Sequence, residues 1–241
     1  MESFNKAIQS WGFTHVPCKW CVYHRCSTEG TIIFTVHVDN IISIASSTAE
    51  NDQFKAELKS KWKISDLGPV KFALGIAVAH DHTSHTVSLL QTTLIDRIVS
   101  EFRQKDAHPV DTPMVTGLHL LCPDKNTPVP NSTSAWIDYT PYRSLIGCLN
   151  YLAVATHPNI AYAVSHLTGF LDCYRPEHWE AATCVVRYLK GSNDLSLQLG
   201  GSNPPTLLGY SNSDYANCPS SSKSISRFCF TLGSGVISWA S

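Results

Sequence analysis

The chain has 241 residues, 43% of them hydrophobic and 15% charged, which supplies apolar material for a packed core and excludes global disorder. Lys and Arg number 18 against 19 Asp and Glu, a net charge of −1, so there is no overall basic excess and any nucleic-acid surface has to be a local patch. The opening MESFNKAIQSWGF has no signal-peptide pattern, and no run approaches the roughly 18 apolar residues of a membrane span.

Residues 3 to 12 read as a short amphipathic helix, with Phe4, Ile8 and Trp11 at helical spacing. CVYHR (21–25) and TIIFTVHV (31–38) are strand-like runs, joined into a hairpin by the turn signal STEG. IISIAS (41–46) is a further strand, so the tight break is expected at Asp39-Asn40. Ser47 or Thr48 can cap a helix through AENDQFKAELKSKW, where Phe54, Leu58 and Trp62 form the apolar stripe, and SDLG ends it. VKFALGIAVAHD and HTVSLLQ form a second hairpin around the turn HDHTSH. TTLIDRIVSEF is a helix with Leu94, Ile98 and Phe102 on one face.

Residues 107–141 are rich in Pro, Ser, Thr and Asn and read as a linker or extended loop. The sequon Asn131-Ser132-Thr133 within them is read as incidental. PYRSLIGCLNYLAVAT opens a helical region. HPNIAYAVSHLTGFL and RPEHWEAATCVVRYLKG are two more helices, each with Pro near its first turn, and Gly191 closes the last. After a break at GSNPP (201–205), TLLGYSN, SRFCFTLG and GVISWAS read as three short strands. There is no internal repeat.

Several residues could carry chemistry. Polymerases that use two metal ions hold them with carboxylates at hairpin tips, so Asp39 is a candidate ligand. Asn40 beside it is uncharged and binds Mg²⁺ weakly; the plainer reading of the pair is a turn. CKWCVYHRC holds Cys18, Cys21, His24 and Cys26, but closed zinc sites join two separated ligand pairs, and strand packing is the expected role here. HDHTSH is expected to be a solvated turn. Asn212 and Asp214 stand at the edge of an apolar strand, where metal-dependent nucleases begin their sites. Lys55, Lys59, Lys61 and Lys63, with Arg187 and Lys190, are the candidate phosphate contacts, although Glu50, Asp52 and Glu57 dilute the first group. Nine cysteines at irregular spacings, without a signal peptide, fit a reducing intracellular compartment, cytoplasm or nucleus.

Taken in order, these segments resemble the polyprotein of Ty1/copia-type retrotransposons. WGFTHVPCKWCVYHR is similar to the segment before the polymerase's catalytic hairpin, and VHVDNIISIAS lies where the family has Tyr-Val-Asp-Asp. FKAELKSKWKISDLGPVKFALGIAV is similar to the stretch from palm toward thumb. YRSLIGCLNYLAVATHPNIAYAVSHLTGFLDCYRPEHWEAATCVVRYLKG resembles the helical connection before the ribonuclease H domain. LLGYSNSDYANCPSSSKSISRFCFTLGSGVISWAS resembles the opening of that domain.

The resemblance implies an α+β fold: a partial reverse-transcriptase palm and thumb (1–106), a linker (107–141), a helical connection (142–200) and a truncated ribonuclease-H-like antiparallel sheet (201–241). Asp39 matches the first family aspartate and would be a vestigial metal ligand. Asn40 replaces the second and His37 the aromatic residue. Asn212 stands in place of the ribonuclease H metal ligand, and Asp214 matches a later Asp of that motif. The resemblance also implies that the remaining carboxylates of both sites lie outside residues 1–241, so the chain is expected to be catalytically inactive and to need no cofactor, where the family uses Mg²⁺. The alternative is a retained module that binds an RNA or DNA template-primer weakly or holds a protein partner. The incomplete sheet would leave an apolar face and an edge open to self-association.

Overall fold

The computed structural model describes residues 2–28, 30–122, 140–202, 204–214 and 224–241. The sequon and residues 123–139 of the expected linker lie outside them. The chain divides into two compact units, Met1–Val70 and Lys71–Ser241, each mixing helices with antiparallel sheet.

In the first unit, helix α1 (Glu2–Ser10) precedes strands β1 (Thr14–Val16), β2 (Lys19–Ser27), β3 (Gly30–His37) and β4 (Asn40–Ala45), and helix α2 (Thr48–Lys61) follows. The strands form an antiparallel sheet in sequence order. Alternation decides which side of it is dry. Ile32 and Phe34 point inward with Tyr23, and meet Ile8, Phe13, Phe54 and Leu58. Phe34 is stacked between Tyr23 and Phe54 at centroid distances of 4.9 and 4.7 Å. The opposite face carries the pairs Ile33–Ile44, Thr35–Ile42 and His37–Asn40. Ser47 caps α2 by accepting the Glu50 amide at 3.2 Å, as its sequence predicts.

The second unit holds a four-stranded sheet, β5 (Phe72–Ala73), β6 (Ile76–Asp81), β7 (Thr86–Leu90) and β8 (Leu197–Gly200), in that order. VKFALGIAVAHD is therefore two strands and not one. Leu74 and Gly75, with φ of 53° and 77°, make a two-residue turn that folds β6 back on β5. Strand β8 pairs with β7 across more than a hundred residues. The alternation of LSLQLG is the signal for this strand that the sequence reading lacked.

Helices α3 (Thr92–Glu101), α4 (Tyr142–Ala155), α5 (Ala161–Thr168) and α6 (Pro176–Gly191) build the larger core, with a single 3-10 turn at Pro158–Ile160 before α5. Tyr142, Leu145, Leu149, Leu152, Val164, Leu167 and Val185 are fully buried in it. Of the expected linker or extended loop at 107–141, residues 107–122 are described, and they lie against this core: Leu120 is buried within it and Met114 packs against it. The final strands β9 (Leu207–Asp214), β10 (Ile225–Leu232) and β11 (Gly235–Ala240) form a sheet in the order β11-β10-β9. Trp239 Nε1 donates to the Ala153 carbonyl at 2.7 Å, which anchors β11 to α4. Phe228, Phe230 and Leu232 remain 40% exposed on the far face.

Candidate functional site

The β3–β4 hairpin closes on the pair His37–Asn40, which leaves Val38 and Asp39 as its two-residue tip. The turn thus lies one residue earlier than the sequence suggests: Asn40 is the first residue of β4. Val38 has φ 54°, a left-handed conformation that a β-branched residue rarely adopts and that stores about 1–3 kcal/mol. His37, Val38, Asp39 and Asn40 are all exposed. The fold therefore lifts Asp39 into solvent at a strained tip, with an amide where a second carboxylate would complete a pair. Among the described residues, no group of three or more His, Cys, Asp or Glu side chains is placed to hold a metal ion. One carboxylate and one amide do not fit a two-ion magnesium site, because the amide supplies no charge.

Asn212 sits on β9, an edge strand, paired with Arg227 of β10, and is exposed. Asp214 is the last residue of β9, paired with Ile225. The Arg227 guanidinium lies over the Tyr162 ring at 4.2 Å, which ties this sheet to α5.

The six candidate phosphate contacts are not equivalent. Lys55 is paired with Asp66 at 3.0 Å. The Gly68 amide and then Lys55 hold the Asp66 carboxyl below its usual range. Lys59, Lys61 and Lys63 are exposed at the end of α2. In the second unit, Arg187 donates to the His108 carbonyl at 2.7 Å, and Lys190 to those of Lys105 and Ala107 at 2.6 and 2.9 Å. These two cations fasten the 103–122 segment to α6.

Glu50 and Glu57 do not dilute the lysines as expected. Both turn inward onto Arg25, at 2.9 and 2.8 Å, and Glu50 is 1% exposed. Arg25 also donates to the Trp11 carbonyl at 3.0 Å and lies over Phe13 at 4.4 Å. The sequence reading missed this buried network. Its only signal was an Arg in phase with Tyr23 on the inward side of β2.

The thiols of Cys18, Cys21 and Cys26 are exposed, and His24 is half-buried on β2. The His80 and His82 rings meet at a centroid distance of 3.9 Å, tilted by 45°, where β6 enters its turn. Asp81 orders that turn by accepting from Ser84 and Thr83, bonds that hold its carboxyl below the usual range. One pair of cysteines departs from the expectation of reduced thiols: Cys122 and Cys173 form a disulfide.

A further surface was missed on α4. Arg143, Gly147 and Asn150 are exposed on one side of that helix and share a shallow groove with Thr168, Leu171 and Asp172. A Cβ at Gly147 would meet nothing within 4 Å. A mid-helix glycine costs about 1 kcal/mol relative to alanine, and nothing inside the fold requires this one. The signal was a lone Gly inside the otherwise helical YRSLIGCLNYL.

Comparison with known proteins gives these sites their context. Residues 1–116 match the family model described as reverse transcriptase (RNA-dependent DNA polymerase). The chain is 35% identical over 92% of its length to the retrovirus-related Pol polyprotein from transposon TNT 1-94 of Nicotiana tabacum. It is 30% identical over 85% of its length to an uncharacterized mitochondrial protein of Arabidopsis thaliana, AtMg00810, of which it covers 80%. The chain belongs to the Ty1/copia reverse transcriptase family. It is also similar, at 28% identity over 100% of its length, to the putative transposon Ty5-1 protein YCL074W of Saccharomyces cerevisiae, of which it covers 75%. It spans 16% of the tobacco polyprotein. No solved structure matches it. The family uses Mg²⁺ and binds a nucleic-acid template-primer. No helix among the described residues is long and apolar enough to cross a membrane.

Proposed function

We propose that this copia-type reverse transcriptase fragment does not polymerise DNA. The observation that carries the proposal is Asn40 beside Asp39 at the exposed hairpin tip. Two-metal phosphoryl transfer needs several charged oxygens converging on the ions, and an amide cannot replace a carboxylate there. In this reading, residues 1–106 descend from palm and thumb, 142–200 from the helical connection, and 201–241 from the start of a ribonuclease H domain. The same exchange at Asn212 leaves the last segment without its matching ligand. Extension of a primed RNA template in Mg²⁺ or Mn²⁺ should stay at background. Asn40→Asp should not raise it, because it adds one carboxylate where no cluster of three exists among the described residues. Incorporation that is abolished by Asp39→Ala would refute the reading.

A second reading, retained binding of a template-primer, is favoured by Gly147. An exposed helical glycine without an internal neighbour permits close approach of an outside backbone, and Asn150 flanks it with an amide, while Arg143 beside it donates to the Leu171 carbonyl and the Asp172 carboxylate at 3.1 and 2.6 Å. Lys59, Lys61 and Lys63 supply a separate positive cluster in the first unit. Such binding is weak, insensitive to base sequence and strongly dependent on salt. A labelled RNA–DNA hybrid, titrated at several salt concentrations, tests it. Replacing the three lysines by Gln should flatten the log–log salt slope by about 0.7 to 0.9 for each phosphate that is no longer neutralised. An unchanged slope and affinity would remove α2 as a binding surface.

A further inference from the structure

The segment after α3 is a strap with two differently built halves. Its first half is fastened by polar bonds to α6, from Lys190 to the carbonyls of Lys105 and Ala107 and from Arg187 to that of His108. Pro109 lies so close to Gly191 that a Cβ there would come within 2.9 Å of the proline Cβ. The second half has little backbone bonding; Leu118 N–H reaches the Val115 carbonyl at 3.3 Å. It is held by Leu120, 3% exposed in the helical core, and by the Cys122–Cys173 bond two residues further on. Cys173 lies between α5 and α6, with its Cα 5.7 Å from that of Cys122. Cys122 is exposed, so a thiolate from solution can reach its sulfur. A segment with few hydrogen bonds and one buried side chain sits at the low end of local stability, so a covalent bond at its end decides how often it opens.

We propose that Cys122–Cys173 is a redox clasp that fastens residues 115–122 to the helical core when oxidised and frees them when reduced. Closing takes two electrons and two protons from the Cys122 and Cys173 thiols. A small disulfide such as oxidised glutathione accepts them and leaves as two thiols. Opening runs in reverse: a thiolate attacks one sulfur of the pair, a mixed disulfide forms, and a second thiol resolves it. The half-strap from Lys105 to Pro109 stays in place in both states, since its bonds do not involve sulfur.

The test compares the intact 241-residue chain in oxidised and reduced glutathione by non-reducing peptide mapping and amide hydrogen exchange. The oxidised sample is expected to contain a peptide linked through Cys122 and Cys173. Reduction should accelerate exchange of the hydrogen-bonded Leu118 amide by about tenfold or more while leaving α4 and α6 unchanged. Cys122→Ser should exchange like the reduced chain in both buffers, whereas Cys148→Ser should keep the response. Absence of the linked peptide in the oxidised sample would overturn the proposal. Equal exchange of the unsubstituted chain in the two buffers would overturn it as well.

Discussion

Arg25 illustrates how a single residue can set both packing and charge. Its guanidinium meets Glu50 and Glu57 beneath α2, and Ser27 donates to the second Glu50 oxygen at 3.0 Å. Removing one member of a buried ion pair leaves the other desolvated, which costs about 3–5 kcal/mol. Arg25→Met should therefore lower the urea midpoint of Met1–Val70 sharply. Adding Glu50→Gln should recover part of the loss, because the two residues share one network. Independent, additive effects would show that the pair is not coupled. The same network explains why the charge reading of α2 was wrong. Sequence gives the number of carboxylates on the helix but not the side to which each turns, and Arg25 draws two of them inward. The hairpin tip behaves differently. Asp39 and Asn40 were legible as a break between two strands, whereas the exact position of the turn was not, because a strained Val38 takes the place a glycine would be expected to fill.

At the scale of elements, helix α4 has one side committed to the core and one side open. Its inner side, with Leu145, Leu149 and Leu152, is fully buried. Its outer side carries Gly147 with open space around it. Gly147→Ala should stabilise the chain by up to about 1 kcal/mol through helix propensity alone. If a template-primer lies on this side, the same substitution should weaken hybrid binding despite the stabilisation. Thermal denaturation and titration on one preparation distinguish the cases. A stabilised variant with unchanged affinity would assign the glycine no role in binding. The 103–122 strap marks the limit of sequence reading at this scale. Its Pro and Thr content signals an absence of regular structure, and that is what is seen. Composition says nothing about whether an irregular segment is tethered, and Arg187, Lys190 and Leu120 tether this one.

Across the larger unit, three histidines link stability to pH. Burial lowers the pKa of His157, His166 and His178 below the ordinary 6.5. Folded, they stay neutral at pH values where the unfolded chain already binds protons there. Stability therefore rises with pH through this window, and it falls as pH drops below about 6.5 toward the lower folded values. The urea midpoint of Lys71–Ser241 should be lower at about pH 5.5 than at about pH 7.5. His178 accepts the Arg175 amide at 3.0 Å, so His178→Gln keeps an acceptor while removing one titrating group. That variant should show a shallower pH dependence. A variant as pH-sensitive as the parent would place the effect in other groups.

The family and the α+β character were readable from the chain itself. Ordered motifs, local turn chemistry and apolar periodicity are all recorded within short windows. The cap at Ser47 and the apolar stripes of α2 and α3 followed from the same local rules. Only the tertiary structure decided the pairing of β7 with β8, the burial of Glu50 against Arg25, the anchoring of the strap on α6 and the joining of Cys122 to Cys173. Each of these depends on residues far apart in sequence meeting in space. A pattern of neighbours along the chain fixes which side of an element is apolar, but the partner that covers it is set by how the whole core closes.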